Sequence, residues 1–483
     1  MSHKIMLRSG VSAAPSGYEK LKWYGPGLLW MLSAVGTGSI LFTPRVASQY
    51  EYQLLWLLLL VVFFMWVMIR EMARYSIATG NTMLEGMYRL EGPKGWAVWI
   101  IFVPQLMAAA VGIAGLAAVV GSALASFLPG TGTLYAISMV LGSTLFTVTG
   151  NYMRIERYSR YMAMLLLAIV VASALAVFPD AGTVASGLPV QWPDEADLYI
   201  IMPWVGTILA GSMGIVWFGY WTIHRGFGGG LESEEAAERR DAELSSEQKA
   251  KLRRDKATAP ATKVKRIKDW LGIMNGAATL GVVGGLLVIF AFMVLGSELL
   301  APEALLPEGS DVAVDLARLF SGIWGEPGKY LMLAAVAIAL GGSILANQDG
   351  WGRSFADMTL ILTREHRQDN NTASAILARL NRIAPWPLFR RVALKRFYIG
   401  LVTGLVPVLI LLAFKDPVRI MSASGIIAAA HTPFIVLTAL IVNRTQLPVS
   451  VRPSLLGTGF MAAAGLFYLG FAGIYIFQLL NDN

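Results

Sequence analysis

Stretches of about twenty mostly apolar residues, the length that crosses a bilayer core, recur along this 483-residue chain from residue 27 to residue 479. Their bounds predict membrane helices over 27–48, 52–70, 98–126, 133–150, 159–178, 199–223, 270–297, 329–352, 397–414, 418–442 and 454–479. The expected fold is therefore all-α, a polytopic membrane protein of about eleven transmembrane helices. Two of the runs are interrupted near their centres, the first by Gly36-Thr37-Gly38-Ser39 and the sixth by Ala210-Gly211-Ser212-Met213-Gly214. Backbone leaves a helix inside a bilayer only where protein or a lined cavity satisfies its N–H and C=O groups. Glycine-interrupted spans at matching places in the two halves point to the midplane site of a secondary transporter.

The first five spans and the next five pair as repeats. Five is odd, so the second set enters from the opposite face, which gives a 5+5 inverted repeat over residues 25–178 and 199–442. The eleventh span, 454–479, stands outside that symmetry, and residues 1–24 form a polar tail without the apolar core of a cleavable signal peptide. Charge adds an orientation. Of the 39 Lys and Arg residues, 33 fall in the tail and in the loops near 70–95, 150–161, 224–269, 361–396 and 444–452. The opposite loops collect acids instead, Asp180, Asp194, Glu195 and Asp197 first, then Glu298 to Asp315. Basic loops stay in the cytoplasm, so the N-terminus is expected inside and the C-terminus outside, with the bilayer as partner.

The net charge of +8 is then a topology signal and not a nucleic-acid footprint. Absence of Cys excludes disulfides, thiolate metal ligands and cysteine nucleophiles. The long connection 224–269 opens with Gly226-Phe227-Gly228-Gly229-Gly230, then runs acidic to Glu247 and basic from Lys249 to Lys268. No strand precedes these glycines and no Gly-Lys-Ser/Thr follows, so they read as a flexible end to the sixth span in preference to a phosphate cradle. The basic stretch lies against anionic headgroups or in solvent.

A family likeness is carried by Gly25-Pro26-Gly27, by Gln53-Leu54-Leu55-Trp56 and by Thr79-Gly80. Leu116-Ala117 with Gly121, Pro433-Phe434 and Asn443-Arg444 continue it. In order and spacing over roughly residues 25–480 the chain resembles the Nramp family of proton-coupled divalent-metal transporters. That resemblance implies a LeuT-type fold with broken helices 1 and 6. At the positions that do the family's chemistry the chain departs from it. The first-span Asp-Pro-Gly-Asn motif is here Gly36-Thr37-Gly38-Ser39. The sixth-span Ala-x-x-Met-Pro-His becomes Ala210, then Met213-Gly214-Ile215. The third-span Asp and Glu associated with proton movement are Gly115 and Ala118, and the tenth-span glutamines are Gly425 and His431. The metal positions that the resemblance leaves are Ser39, Ala210 and Met213, with the Met thioether and backbone carbonyls surviving from the ligand set.

A divalent ion taken out of water needs compensating charge, so without a carboxylate at position 36 a dehydrated Mn²⁺ or Fe²⁺ is disfavoured. An ion that keeps several waters, as Mg²⁺ does, tolerates a roomy glycine-lined site better. Helix-end carbonyls and N–H groups also leave a neutral or anionic solute open. Asn347, Gln348 and Asp349 form a polar run within the eighth span, where ionisable residues are functional candidates. Asp349 either serves the site or pairs with Arg353 four residues on; Asn347 and Gln348 either offer carbonyl oxygens or bond between helices. His431 either titrates for coupling, or ligates, or stays neutral against a carbonyl. Met213 is a soft ligand or packing. His224 ends its span at a gate or a headgroup contact. Arg45 pairs with Glu51 or guards an entry path against cations.

The function expected is a metal-ion transporter whose substrate differs from the family norm, Mg²⁺-like, working by alternating access without the usual proton pathway. The alternatives are a carrier of a small organic or anionic solute, and a non-transporting receptor or scaffold that uses the loop 224–269. No cofactor and no nucleic-acid partner is expected, and no nucleophile–base or metal-ligand spacing points to an enzyme. Oligomeric state is not written in the sequence.

Overall fold

In the computed structural model the described residues are 7–34 apart from Ser9, then 36, 38–149, 164, 167–209, 211–231, 260–363 and 391–481, and no strand occurs among them. The first span is two pieces, α1 (Gly25–Ala34) and α2 (Thr43–Tyr50), rejoined through a π-helical turn at Gly38–Phe42. Next come α3 (Leu55–Thr79), a short α4 (Met83–Tyr88), α5 (Trp96–Ala125), α6 (Gly132–Thr149) and α7 (Leu167–Ala176). After the one-turn α8 (Ala181–Ala185) the sixth span is again split, into α9 (Leu198–Thr207) and α10 (Met213–Arg225). Then follow α11 (Pro260–Leu295), α12 (Val312–Trp324) and α13 (Glu326–Leu362). α14 (Arg391–Gly400) and α15 (Val406–Ala413) are joined by a π turn at Leu401–Leu405, and α16 (Pro417–Gln446) and α17 (Leu455–Asn481) follow.

Eight helices among the described residues are long and apolar enough to cross a membrane. The sequence pattern predicts eleven, and the difference has a physical source. The broken spans appear as half-helices too short to cross alone, and α7 shows ten residues of a run whose start lies outside the described residues. α12 was not expected: the acidic connection after α11 carries Val312, Ala313, Leu316, Ala317, Leu319 and Phe320 on one buried face, the 3–4 spacing of an amphipathic helix.

Glycine sets how closely the central helices meet. A Cβ on Gly206 of α9 would come within 2.0 Å of the Gly425 carbonyl oxygen of α16, and one on Gly38 within 2.3 Å of the Thr207 carbonyl oxygen. Backbones therefore touch where the second half-span passes the tenth span and the first break, as small residues allow inside bilayers.

The N-terminal tail is not a free polar segment. The Arg8 amide donates to the Ala78 carbonyl (3.1 Å), the Ser12 amide to Gly228 (3.2 Å), and Val11 is fully buried. The Arg8 guanidinium, 2% exposed, donates to the carbonyls of Gly10 (2.8 Å), Phe227 (3.3 Å) and Gly230. Gly226, Gly228, Gly229 and Gly230 all have positive φ. The glycine run is thus an ordered turn whose carbonyls face a cation, which corrects the expectation of a flexible end and is the wrong polarity for phosphate. Arg266 and Trp270 of α11 hold the same segment through the carbonyls of Val11 (2.7 Å) and Ser12 (2.9 Å). The acidic and most of the basic part of loop 224–269, residues 232–259, lies outside the described residues.

Candidate functional site

The two breaks are laced together by tryptophans. Trp30 of α1 donates its Nε1–H to the Gly214 carbonyl (3.0 Å), and Trp204 of α9 donates to Thr43 Oγ1 (3.0 Å), which in turn donates to the Gly38 carbonyl (2.7 Å). The first break centres on Gly36, whose carbonyl accepts the amides of Ser39 (3.2 Å) and Ile40 (2.9 Å). The second spans Ile208 to Ser212, two residues earlier than expected, with α10 starting at Met213. There Leu209 (φ +53°) and Ser212 (φ +60°) occupy the left-handed region. Non-glycine residues enter it at a cost of order 1–3 kcal/mol, and such strain gathers at functional sites.

Between the breaks lies a cavity of about 120 Å³. Gly36, Gly38, Thr207, Gly211 and Ser212 contribute its floor from the two breaks, and Gln105, Gly112 and Leu116 line it from α5. Ser343, Asn347 and Trp351 of α13, Trp217 of α10, and Met421 and Ser424 of α16 face it from the other sides. Among the described residues no charged side chain lines it, and no group of three His, Asp or Glu residues able to hold a metal ion occurs.

Of the positions singled out in the sequence, Gly36, Gly38 and Asn347 line this cavity, and Asn347 Nδ2 donates back to the Ser343 carbonyl (2.8 Å). Thr37 and Ala210 lie outside the described residues. Ser39 is fully buried beside the cavity wall with its Oγ unpartnered. Met213 is fully buried and does not line the cavity. Gln348 faces away from it, donating to Thr144 Oγ1 (2.9 Å) and the Thr403 carbonyl (2.8 Å). Asp349 pairs with Arg353 (2.6 Å) and with Lys395 of α14, so the ion-pair reading describes its geometry. Arg45 pairs with Glu308 (3.1 Å), 263 residues away, and not with Glu51. His224 stacks on Tyr220 at the end of α10, with ring centroids 6.3 Å apart.

His431 stands behind the wall. Its Nε2 lies 3.0 Å from the Ile100 carbonyl oxygen and its Nδ1 2.6 Å from Gln105 Nε2. Gln105, fully buried on α5, also bonds Ser212 Oγ in the second break. Sequence reasoning missed Gln105. Its one signal was a polar amide beside Pro104 in a helix that is otherwise almost wholly apolar.

An all-helical chain with two split helices facing each other across a central cavity has the LeuT-type fold. In sequence it is Nramp-like: residues 27–243 match the family model described as natural resistance-associated macrophage protein-like. Among solved structures, the manganese transporter of Eremococcus coleocola superposes with a TM-score of 0.61 at 13% identity, covering 97% of this chain and 89% of that one. A nucleobase-cation-symport-1 family transporter in a closed conformation superposes with a TM-score of 0.51 at 11% identity, covering 97% and 92%. At such identities the likeness speaks for the fold. An uncharacterized protein of Pasteurella multocida is 27% identical over 168 residues, 33% of this chain and 38% of that relative's length.

Proposed function

We propose that this chain transports a metal ion that enters the cavity with part of its water shell, in the manner of Mg²⁺. The observation that carries the reading is a cavity of about 120 Å³ whose described lining residues are all neutral. A site that strips a dication needs carboxylates to replace the lost water, and none is present at the wall. At roughly 30 Å³ of liquid volume per water, the space suits on the order of four waters, so the ion keeps part of the octahedral shell that Mg²⁺ sheds reluctantly and neutral oxygens of the wall complete it. The Nramp-like sequence and the manganese transporter among the structural neighbours favour a metal ion over other cargo.

The site would open to each face in turn, with the N-terminus cytoplasmic as the basic loops indicate. A second void, lined by Ala118, Ser122, Asp311 and Lys415 among others, lies further along α5 on the side of the acidic connections, which favours entry from that side. Gly115 and Ala118 on α5 leave no carboxylate there to carry a proton. In liposomes the expected result is saturable Mg²⁺ uptake without acidification of the lumen. Uptake of Mn²⁺ in preference to Mg²⁺, or uptake that acidifies the lumen, would overturn the reading. Trp217 and Trp351 at the wall favour one other cargo, a small neutral solute; flux of such a solute with no divalent flux would select it.

A further inference from the structure

We infer that Gln105 is the side chain that receives the cargo's water shell and sets the cavity's preference for a hydrated ion, and that His431 is the residue that aims it. The inference rests on the hydrated-ion reading above. It begins at the Ile100 carbonyl oxygen, which can only accept. His431 Nε2, 3.0 Å away, therefore carries the ring proton. In the neutral ring Nδ1 is then an acceptor, and the group 2.6 Å from it on Gln105 has to be the amide NH₂. The second N–H of that amide goes to Ser212 Oγ in the strained break. Both donors of Gln105 are thus used on protein, and the amide cannot turn over without placing two acceptors face to face.

What remains is Oε1. It is buried and has no protein partner, on a residue that lines the cavity and is itself fully buried. A buried acceptor left unmet is costly and demands a donor. Waters around a cation present their hydrogens outwards, so a neutral amide oxygen fixed at the wall suits the shell of an ion better than the bare ion. A bare dication calls for a carboxylate at the same place. The chain of contacts from Ile100 through His431 and Gln105 to Ser212 joins α5, α16 and the sixth-span break, so the acceptor is placed by three elements at once.

The test is uptake by the full-length chain in liposomes, with wild type and variants that remain monodisperse and unfold at the wild-type temperature. Gln105→Leu is expected to raise the KM for Mg²⁺ at least tenfold with little change in the maximal rate. Gln105→Glu, of nearly equal shape, is expected to lower the Mn²⁺ concentration that half-inhibits Mg²⁺ uptake at least tenfold. His431→Leu leaves the amide free to turn and is expected to raise the KM severalfold. The double variant Gln105→Leu/His431→Leu is then no worse than Gln105→Leu alone, the non-additivity expected of a residue that acts through another and not of one that only supports packing. A wild-type KM in Gln105→Leu, with wild type transporting Mg²⁺, overturns the inference and leaves the functional reading standing. No divalent flux in wild type overturns that reading and the inference with it.

Discussion

Replacing Arg8 by alanine should detach the N-terminal segment from the end of the sixth span. Within the described residues the guanidinium bonds the carbonyls of Gly10, Phe227 and Gly230, of which the one to Gly10 is internal to the segment. The bonds to Phe227, long at 3.3 Å, and to Gly230 fix it to the glycine turn after α10. A hydrogen bond from a charged donor contributes about 1.5–3 kcal/mol net. Counting the Gly230 bond fully and the Phe227 bond in part gives about 2–4 kcal/mol. At 1.4 kcal/mol per factor of ten, the detached population should rise roughly 30- to 700-fold. Hydrogen exchange at the Ser12 amide reads this directly, because that amide donates to Gly228 only while the segment is seated. Arg8→Lys should fall between, since an ammonium cannot span the carbonyls as the planar fork does. Unchanged protection of Ser12 in Arg8→Ala would refute the reasoning and assign the anchoring to Arg266 and Trp270 instead.

Glu71→Gln should cost about 3–5 kcal/mol of stability, because it leaves Arg74, 14% exposed and bonded to Glu71 at 2.7 Å, without its counter-charge; thermal unfolding in detergent measures it, and Glu71→Gln/Arg74→Gln should recover part of the loss. Asp349→Asn should lower the unfolding temperature by weakening the ties to Arg353 and Lys395, yet leave the KM for cargo unchanged because Asp349 does not line the cavity; a shifted KM would place it in the site after all. The Asp180 carboxyl is held below its ordinary range by the Thr183 hydroxyl, then by the amides of Thr183 and Gly182. A depressed pKa contributes stability that is present above the unfolded value, about 3.9, and is lost as pH falls through the folded value. Amide exchange at Gly182 and Thr183 should therefore accelerate below about pH 4, and Asp180→Asn should abolish that dependence.

The paired breaks were legible because glycines clustered at the centre of an apolar span interrupt a helix that the bilayer otherwise enforces. The content of the site was only half legible. Asn347, Gln348 and Asp349 are consecutive, and about 100° of rotation per residue sends them to three different neighbours. Asn347 reaches the cavity, Gln348 reaches α6 and the π turn between α14 and α15, and Asp349 reaches α14. Spacing alone gives no choice among the three. Arg45 and Arg8 find partners 263 and 222 residues away, distances at which a single sequence carries no pairing information. Gln105 escaped because a lone amide in a bilayer helix reads equally well as glue between helices. What distinguishes it is the Ile100–His431 relay, a fact of three-dimensional placement.

The contact of Gly206 with Gly425 has a mechanical meaning. Helices packed through large side chains mesh as ridges in grooves and move past one another in discrete steps. Here two bare backbones meet, so α9 rests on α16 as a shaft rests in a plain bearing, free to slide by small amounts without unmeshing teeth. A single methyl group at position 206 would act as grit in that bearing. At 2.0 Å from the Gly425 oxygen it would force the two backbones apart, and under the alternating-access proposal the sliding that the contact permits would be lost.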